Sequence, residues 1–362
     1  MTALMAQANC LAIFTEPSNL RVGARPENAQ TNSTRTATPT AGHTTARRQR
    51  QLSVLTDDGT ALACTDYGDP DAPHTIVFLH GLCLKSTIWT PLIDQLTSLY
   101  GPEVRIIGYD HRGHGRSAAA PASSYTISRL AADLSDVLRA LHVHGPLTLV
   151  GHSMGGMTAL AYLDQPTSQR PVEPTGLVLI ATAAGKLTQR GLGRLLDAPG
   201  AAPLLQRAAH TPDKLLRTIA KPLCTLLSHL GDHLAATTLA SVSLNALTST
   251  APRTALGFLP SLRTYNAYPA LPGITARTVI VSGDLDPLTP SEHSRDLADA
   301  IPGAHHISVA GAGHMLPQQA PGVIHRAITA VITAGQAASG SRPQTLPPNT
   351  TPMPPMARVA AI

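Results

Sequence analysis

The sequence predicts an α/β protein: a mostly parallel sheet covered by helices on both faces and interrupted by a helical insertion. Three observations lead there. Short apolar, β-branched runs alternate with amphipathic helical stretches through residues 51–334, a pattern that gives a parallel sheet with crossover helices. One stretch, 184–272, breaks the rhythm, being rich in Leu and without a clear strand. The ends, 1–50 and 335–362, show no apolar period and read as disordered tails.

The elements follow in order. Leu52–Leu55 and Ala61–Tyr67 flank Asp57-Asp58-Gly59, a good hairpin turn. Thr75–Leu79 and Val104–Tyr109 are continuous apolar runs, as expected of buried strands. Ile127, Leu130, Leu134, Val137, Leu138 and Leu141 recur at spacings of three and four, the mark of an amphipathic helix. Leu147–Val150, Leu177–Ala181, Thr278–Ser282 and His306–Val309 are further strands, and Leu297–Ile301 and Val323–Ile332 belong to helices. Inside 184–272, Leu223, Leu226, Leu227, Leu230 and Leu234 form one helical stripe, and Gly/Pro punctuation at Pro199-Gly200, Pro203 and Pro269–Gly273 supplies loops. The expected organisation is a tail (1–50), a core (51–183), a helical lid (184–272), the rest of the core (273–334) and a Pro-rich tail (335–362).

Composition excludes several classes. The chain has 362 residues, 43% hydrophobic and 14% charged, so it is not disordered throughout. No apolar run approaches the roughly 18 residues of a membrane span. The net charge of +5 belongs to the ends: residues 1–50 hold six Arg against two Glu, and residues 335–362 hold two Arg and no acid. The body is slightly acidic, which argues against a nucleic-acid face. The cysteines at 10, 64, 83 and 224 form no C-x-x-C pair and are expected as free thiols. Met1–Phe14 lacks a basic leader, so a cytoplasmic location is expected over a secretory one. His229 and His233 stand four apart, but with Gly231 and no Glu between them they read as lid surface and not as a metal site. No metal or cofactor is expected.

The chemistry centres on Gly151-His152-Ser153-Met154-Gly155, where a strand ends at Val150 and a helical run begins near Met157. G-x-S-x-G in that setting is a nucleophile elbow, a strand-to-helix turn too sharp for side chains at its flanks. A Ser hydroxyl needs a base. The candidate is His314, in the Gly-rich loop after the last strand. The candidate acid is Asp286, chosen over Asp284, in the loop after Thr278–Ser282. The order Ser, Asp, His is the one this elbow requires. The oxyanion donors would be the main-chain N–H groups of Met154 and of Leu82 in the loop after Thr75–Leu79.

Together, F-L-H-G-L, Y-D-H-R-G-H-G-R-S (109–117), G-H-S-M-G-G, G-D-L-D-P-L-T-P and G-A-G-H-M-L-P resemble the α/β-hydrolase superfamily across 51–334. The elbow and the H-G-L loop look most like carboxylesterases and monoacylglycerol-lipase-like members. The resemblance implies an eight-stranded mostly parallel sheet, a lid after the sixth strand, cofactor-free Ser–His–Asp catalysis, and structural roles for Asp110, Arg112 and Gly115. The expected activity is cleavage of a carboxylic ester with an apolar acyl or alcohol part through an acyl-enzyme. A thioesterase, lactonase, perhydrolase or C–C bond hydrolase would use the same triad, and a low-turnover ligand-binding protein on the same fold is the reading from another class. With three Phe and one Trp in the chain, the pocket should be aliphatic.

Overall fold

The computed structural model describes residues 49–197 and 250–340. Eight strands are present: β1 (Gln49–Leu55), β2 (Ala61–Tyr67), β3 (His74–Leu79), β4 (Val104–Tyr109), β5 (Leu147–His152), β6 (Gly176–Ile180), β7 (Arg277–Gly283) and β8 (His305–Val309). They form one sheet in the order β1-β2-β4-β3-β5-β6-β7-β8. β2 pairs antiparallel with β1 and β4, and every pairing from β4 across to β8 is parallel.

Alternation along the central strands splits the core in two. Leu147 and Leu149 of β5, Leu177 and Leu179 of β6 and Ile280 of β7 face one layer. Val150, Val178, Ile180, Val279 and Val281 face the other. Both sets are buried, which is why these strands read as continuous apolar runs. The first layer is covered by α2 (Ile127–Ala140), α3 (Met154–Asp164) and α5 (Ser291–Ala300). The second is covered by α1 (Thr90–Tyr100), the short α6 (Leu316–Gln319) and α7 (Pro321–Gly340). Thr126 caps α2 through its hydroxyl, which accepts from the Arg129 N–H. The helix then buries the Leu130–Leu134–Val137–Leu138 stripe read from the sequence.

Both ends of the expected core, 51 and 334, move outward. β1 begins at Gln49, because Gln49 and Arg50 continue the pairing register opposite Tyr67 and Asp66. α7 runs to Gly340, six residues past the expected core boundary. Between β6 and β7, the described residues form two 3-10 turns (187–189 and 191–197), α4 (Pro252–Thr264) and a further 3-10 stretch (268–273). The Leu223–Leu234 stripe, His229, His233, Cys10 and Cys224 lie outside the described residues. Cys64 and Cys83 are buried free thiols.

Candidate active site

The sharp turn predicted at Ser153 is present. Ser153 leaves β5 at φ 53°, ψ −119° and α3 starts at the next residue. A left-handed φ on a non-Gly residue costs on the order of 1–3 kcal/mol and persists because its surroundings hold it. Here the Ser153 N–H donates to the Ile180 carbonyl (2.9 Å), and the Thr182 hydroxyl donates to the Ser153 carbonyl (2.7 Å). The flanking glycines are steric necessities. A Cβ on Gly151 would lie 2.6 Å from the Gly155 carbonyl oxygen, and one on Gly155 would overlap the Leu79 carbonyl.

The three sequence-predicted side chains come together. His314 Nε2 lies 3.0 Å from Ser153 Oγ, and His314 Nδ1 lies 2.8 Å from Asp286 Oδ2. An ionised carboxylate can only accept, so Nδ1 carries the proton and Nε2 is left to accept from the serine hydroxyl. Asp286 is held in turn. Its Oδ1 accepts the Leu288 and Thr289 N–H groups (2.8 and 3.0 Å), and its Oδ2 accepts the Thr289 hydroxyl (2.7 Å). Burial pushes the Asp286 pKa up, but attraction to His314 and these hydrogen bonds outweigh it and hold the carboxyl below its ordinary value. Asp284, the rejected candidate, turns away and accepts the Gly311 N–H (2.7 Å).

Met154 is the first residue of α3, so its N–H belongs to the helix's unsatisfied N-terminal set. Leu82 lies on the loop after β3, the strand beside β5. Among the described residues neither N–H donates to a main-chain acceptor. Both residues line a cavity of about 260 Å³ that also contains Ser153 and His314. Beside His152 and Thr289, its wall is mostly aliphatic and thioether, with Met157, Leu187, Leu259, Leu262, Leu288 and Met315 on it. No Phe, Tyr or Trp is among the described lining residues.

Asp110, Arg112 and Gly115, expected by resemblance to brace the turn near the elbow, make structural contacts at other places. The Asp110 carboxylate accepts the N–H groups of Ser86 (2.7 Å) and Arg116 (2.9 Å). Gly115 (φ +51°) leaves room that a Cβ would take from that carboxylate. Arg112 is fully buried and pairs with Asp133 (2.6 Å) and Asp58 (2.8 Å), tying the β1–β2 turn to α2.

From the sequence, His80 and His152 flank the site and are explained by motif packing, while His111 and His114 have no task of their own. His152 donates from Nε2 to the main-chain carbonyl of His314 (2.9 Å) and so holds the loop that carries the base. His80, His111 and His114 cluster under the Leu82 loop with ring centroids 4.4–6.5 Å apart. Their signal was present as the H-G and D-H-R-G-H-G motifs, but their mutual contact joins loops about thirty residues apart. Among the described residues no group of three or more His, Cys, Asp or Glu could hold a metal ion, and no helix is long and apolar enough to cross a membrane.

Comparison with known proteins identifies the fold family. A family model described as alpha/beta hydrolase fold matches residues 74–321, more than half of the chain. The chain is 34% identical over 120 residues to the probable oxidoreductase EphD of Mycobacterium tuberculosis, covering 32% of this chain and 19% of that protein. It is 32% identical over 160 residues to the sn-1-specific diacylglycerol lipase ABHD11 of Mus musculus, covering 42% of this chain and 49% of the lipase. The chain thus spans from about a fifth to a half of the length of these relatives. Among solved structures, an esterase from Exiguobacterium antarcticum superposes with a TM-score of 0.60 at 22% identity, covering 78% of this chain and 100% of that one. With its sheet order, its elbow at Ser153 and a family match across the core, the chain belongs to the alpha/beta hydrolase fold family.

Proposed function

We propose that this hydrolase is a serine esterase that cleaves carboxylic esters with an aliphatic acyl part through an acyl-enzyme. The observation that carries the reading is the unbroken chain from Ser153 Oγ through the His314 imidazole to Asp286 Oδ2, at 3.0 and 2.8 Å. Ser153 attacks the ester carbonyl while His314 Nε2 takes its proton, and Asp286 fixes the tautomer and stabilises the imidazolium. The Leu82 and Met154 N–H groups receive the oxyanion, each worth about 3–4 kcal/mol in the transition state. The imidazolium returns its proton to the leaving alcohol, and a water activated by the same nitrogen releases the acid. The aliphatic wall selects the acyl group by shape and burial. The name of the mouse lipase is in keeping with this ester chemistry.

The test is a p-nitrophenyl ester series from acetate to decanoate, run with a fluorophosphonate probe. Ser153→Ala should lose on the order of 10⁶ in kcat together with all probe labelling. Activity should rise beyond acetate. Near-full esterase activity in Ser153→Ala would overturn the triad, whereas a maximum at acetate would overturn the aliphatic pocket alone.

A further inference from the structure

The Leu82 N–H can receive an oxyanion only if its peptide faces Ser153. The Gly81–Leu82 peptide is planar, so its carbonyl and N–H point in opposite directions. The carbonyl is held from the protein interior. His80 Nδ1 lies 2.8 Å from the Gly81 oxygen, and the Leu84 N–H donates to the same oxygen at 3.2 Å. Gly81 itself packs on the elbow, since a Cβ there would lie 3.1 Å from Ser153 Cβ.

His80 is fixed in turn. Its Nε2 accepts the His111 N–H (2.9 Å), which leaves Nδ1 as the donor to Gly81. The His111 ring lies with Nε2 3.1 Å from the His80 carbonyl. The next peptide of the loop is held the same way, with the Cys83 N–H donating to His114 Nε2 (3.1 Å) and His114 Nδ1 3.0 Å from the Arg112 carbonyl. All three rings are buried. Three imidazoles therefore hold both peptides that flank Leu82, and each bond made by His80 and His114 demands a particular tautomer.

We infer that His80, backed by His111 and His114, is the positioning device of the oxyanion hole, turning the Gly81–Leu82 peptide so that the Leu82 N–H faces the reacting carbonyl at Ser153. This rests on the serine-esterase reading. The decisive bond is His80 Nδ1–H to the Gly81 carbonyl, with His114 securing the following peptide.

The experiment uses the full chain and three readouts: kcat, KM, and the Ki of an alkyl trifluoromethyl ketone, which forms a tetrahedral oxyanion at the serine. His80→Leu should lower kcat by about 10²-fold and weaken the ketone by a similar factor, the scale of one lost oxyanion donor, while KM moves less than threefold. His80→Asn, whose amide can still reach the Gly81 carbonyl, should stay within about fivefold of the parent. At position 114, Met should lose activity and Gln, which can accept the Cys83 N–H, should restore it. A folded His80→Leu or His114→Met with unchanged ketone affinity overturns the inference. If neither folds, the comparison of His80→Asn with His80→Gln decides. Gln extends past the Gly81 carbonyl toward the His111 N–H, so equal kcat in the two overturns the proposal. A parent protein that neither reacts with fluorophosphonate nor hydrolyses esters points instead to failure of the esterase reading itself.

Discussion

Lowering the pH should unfold this protein earlier than its carboxylates alone would. His80, His111, His114 and His152 are fully buried, and burial, the largest cause in each, pushes their pKa values from 6.5 down to about 3. They are neutral in the fold and titrate freely once the chain unfolds, so below pH 6.5 the unfolded state binds more protons. The stability these rings contribute is therefore complete above pH 6.5 and is lost as pH falls toward about 3. Each removes about 1.4 kcal/mol per pH unit well below 6.5, and four together roughly 5 kcal/mol per unit. Against a typical total of about 5–15 kcal/mol, the midpoint should fall between about pH 5.5 and about pH 4. Asp110 and Asp286, whose pKa values are also lowered, act with the same sign but only from about pH 4.5 downward. Urea unfolding followed by circular dichroism at pH 8, 6.5, 5.5 and 5 measures the slope. His111→Gln, which retains an N–H for the His80 carbonyl, should reduce it by about 1.4 kcal/mol per pH unit. An unfolding free energy that stays level from pH 7 to pH 5 would mean that these rings are not held neutral, and the account of them as buried struts would fail.

Other consequences follow from the same contacts. Asp286→Asn should lower kcat by about 10⁴ with the fold intact, because the amide no longer enforces the tautomer that leaves Nε2 free; kinetics beside a melting curve checks it. Thr289→Val removes the hydroxyl bonded to Asp286 Oδ2 (2.7 Å) and should lower kcat between about threefold and thirtyfold, with KM little changed. His152→Leu frees the His314 carbonyl and should reduce both kcat and fluorophosphonate labelling about tenfold, while His152→Gln, which keeps a donor, restores most of both. Gly155→Ala should yield no stably folded protein, since its Cβ would overlap the Leu79 carbonyl, whereas Gly59→Ala, at φ +81° with open space around it, should cost only about 1–2 kcal/mol by chemical denaturation.

The centre of the sheet was legible because strands β3 to β7 are buried on both faces. Runs such as Leu147–Val150 and Thr278–Ser282 carry their signal in every residue, and all eight strands lie where the pattern places them. The site was legible because its parts obey local sterics: Gly151 and Gly155 are demanded by carbonyls within reach of any Cβ, and Ser153 by the turn they permit. α1 was not read. Its signal was present, since Leu92, Ile93, Leu96 and Leu99 recur at helical spacings, but the period spans only two turns before Gly101 and Pro102 end it. The extension of α7 to Gly340 was missed because its last residues are small and carry no apolar period, while Ala still favours helix. The roles of His80 and His114 depend on which loop lies beside which, and periodicity holds no trace of that.

That adjacency follows from topology. β3, β5, β6, β7 and β8 are parallel neighbours, so the loops leaving their C-terminal ends open on one edge of the sheet, where such folds bind ligands. Ser153 follows β5, Asp286 follows β7, His314 follows β8 and Leu82 follows β3. β4, parallel to β3, delivers His111 and His114 to the same edge, directly behind the Leu82 loop. A loop in that place must satisfy its own peptide groups away from water. The Asp110 carboxylate does part of this, accepting the Ser86 and Arg116 N–H groups, but a carboxylate can only accept, and an ammonium or guanidinium can only donate. A neutral imidazole offers one donor and one acceptor on a rigid ring. His80 uses both on two different loops, and His114 does the same. His80 and His114 therefore meet the demands of this edge of the sheet, each joining a donor to an acceptor, which only the neutral ring can do.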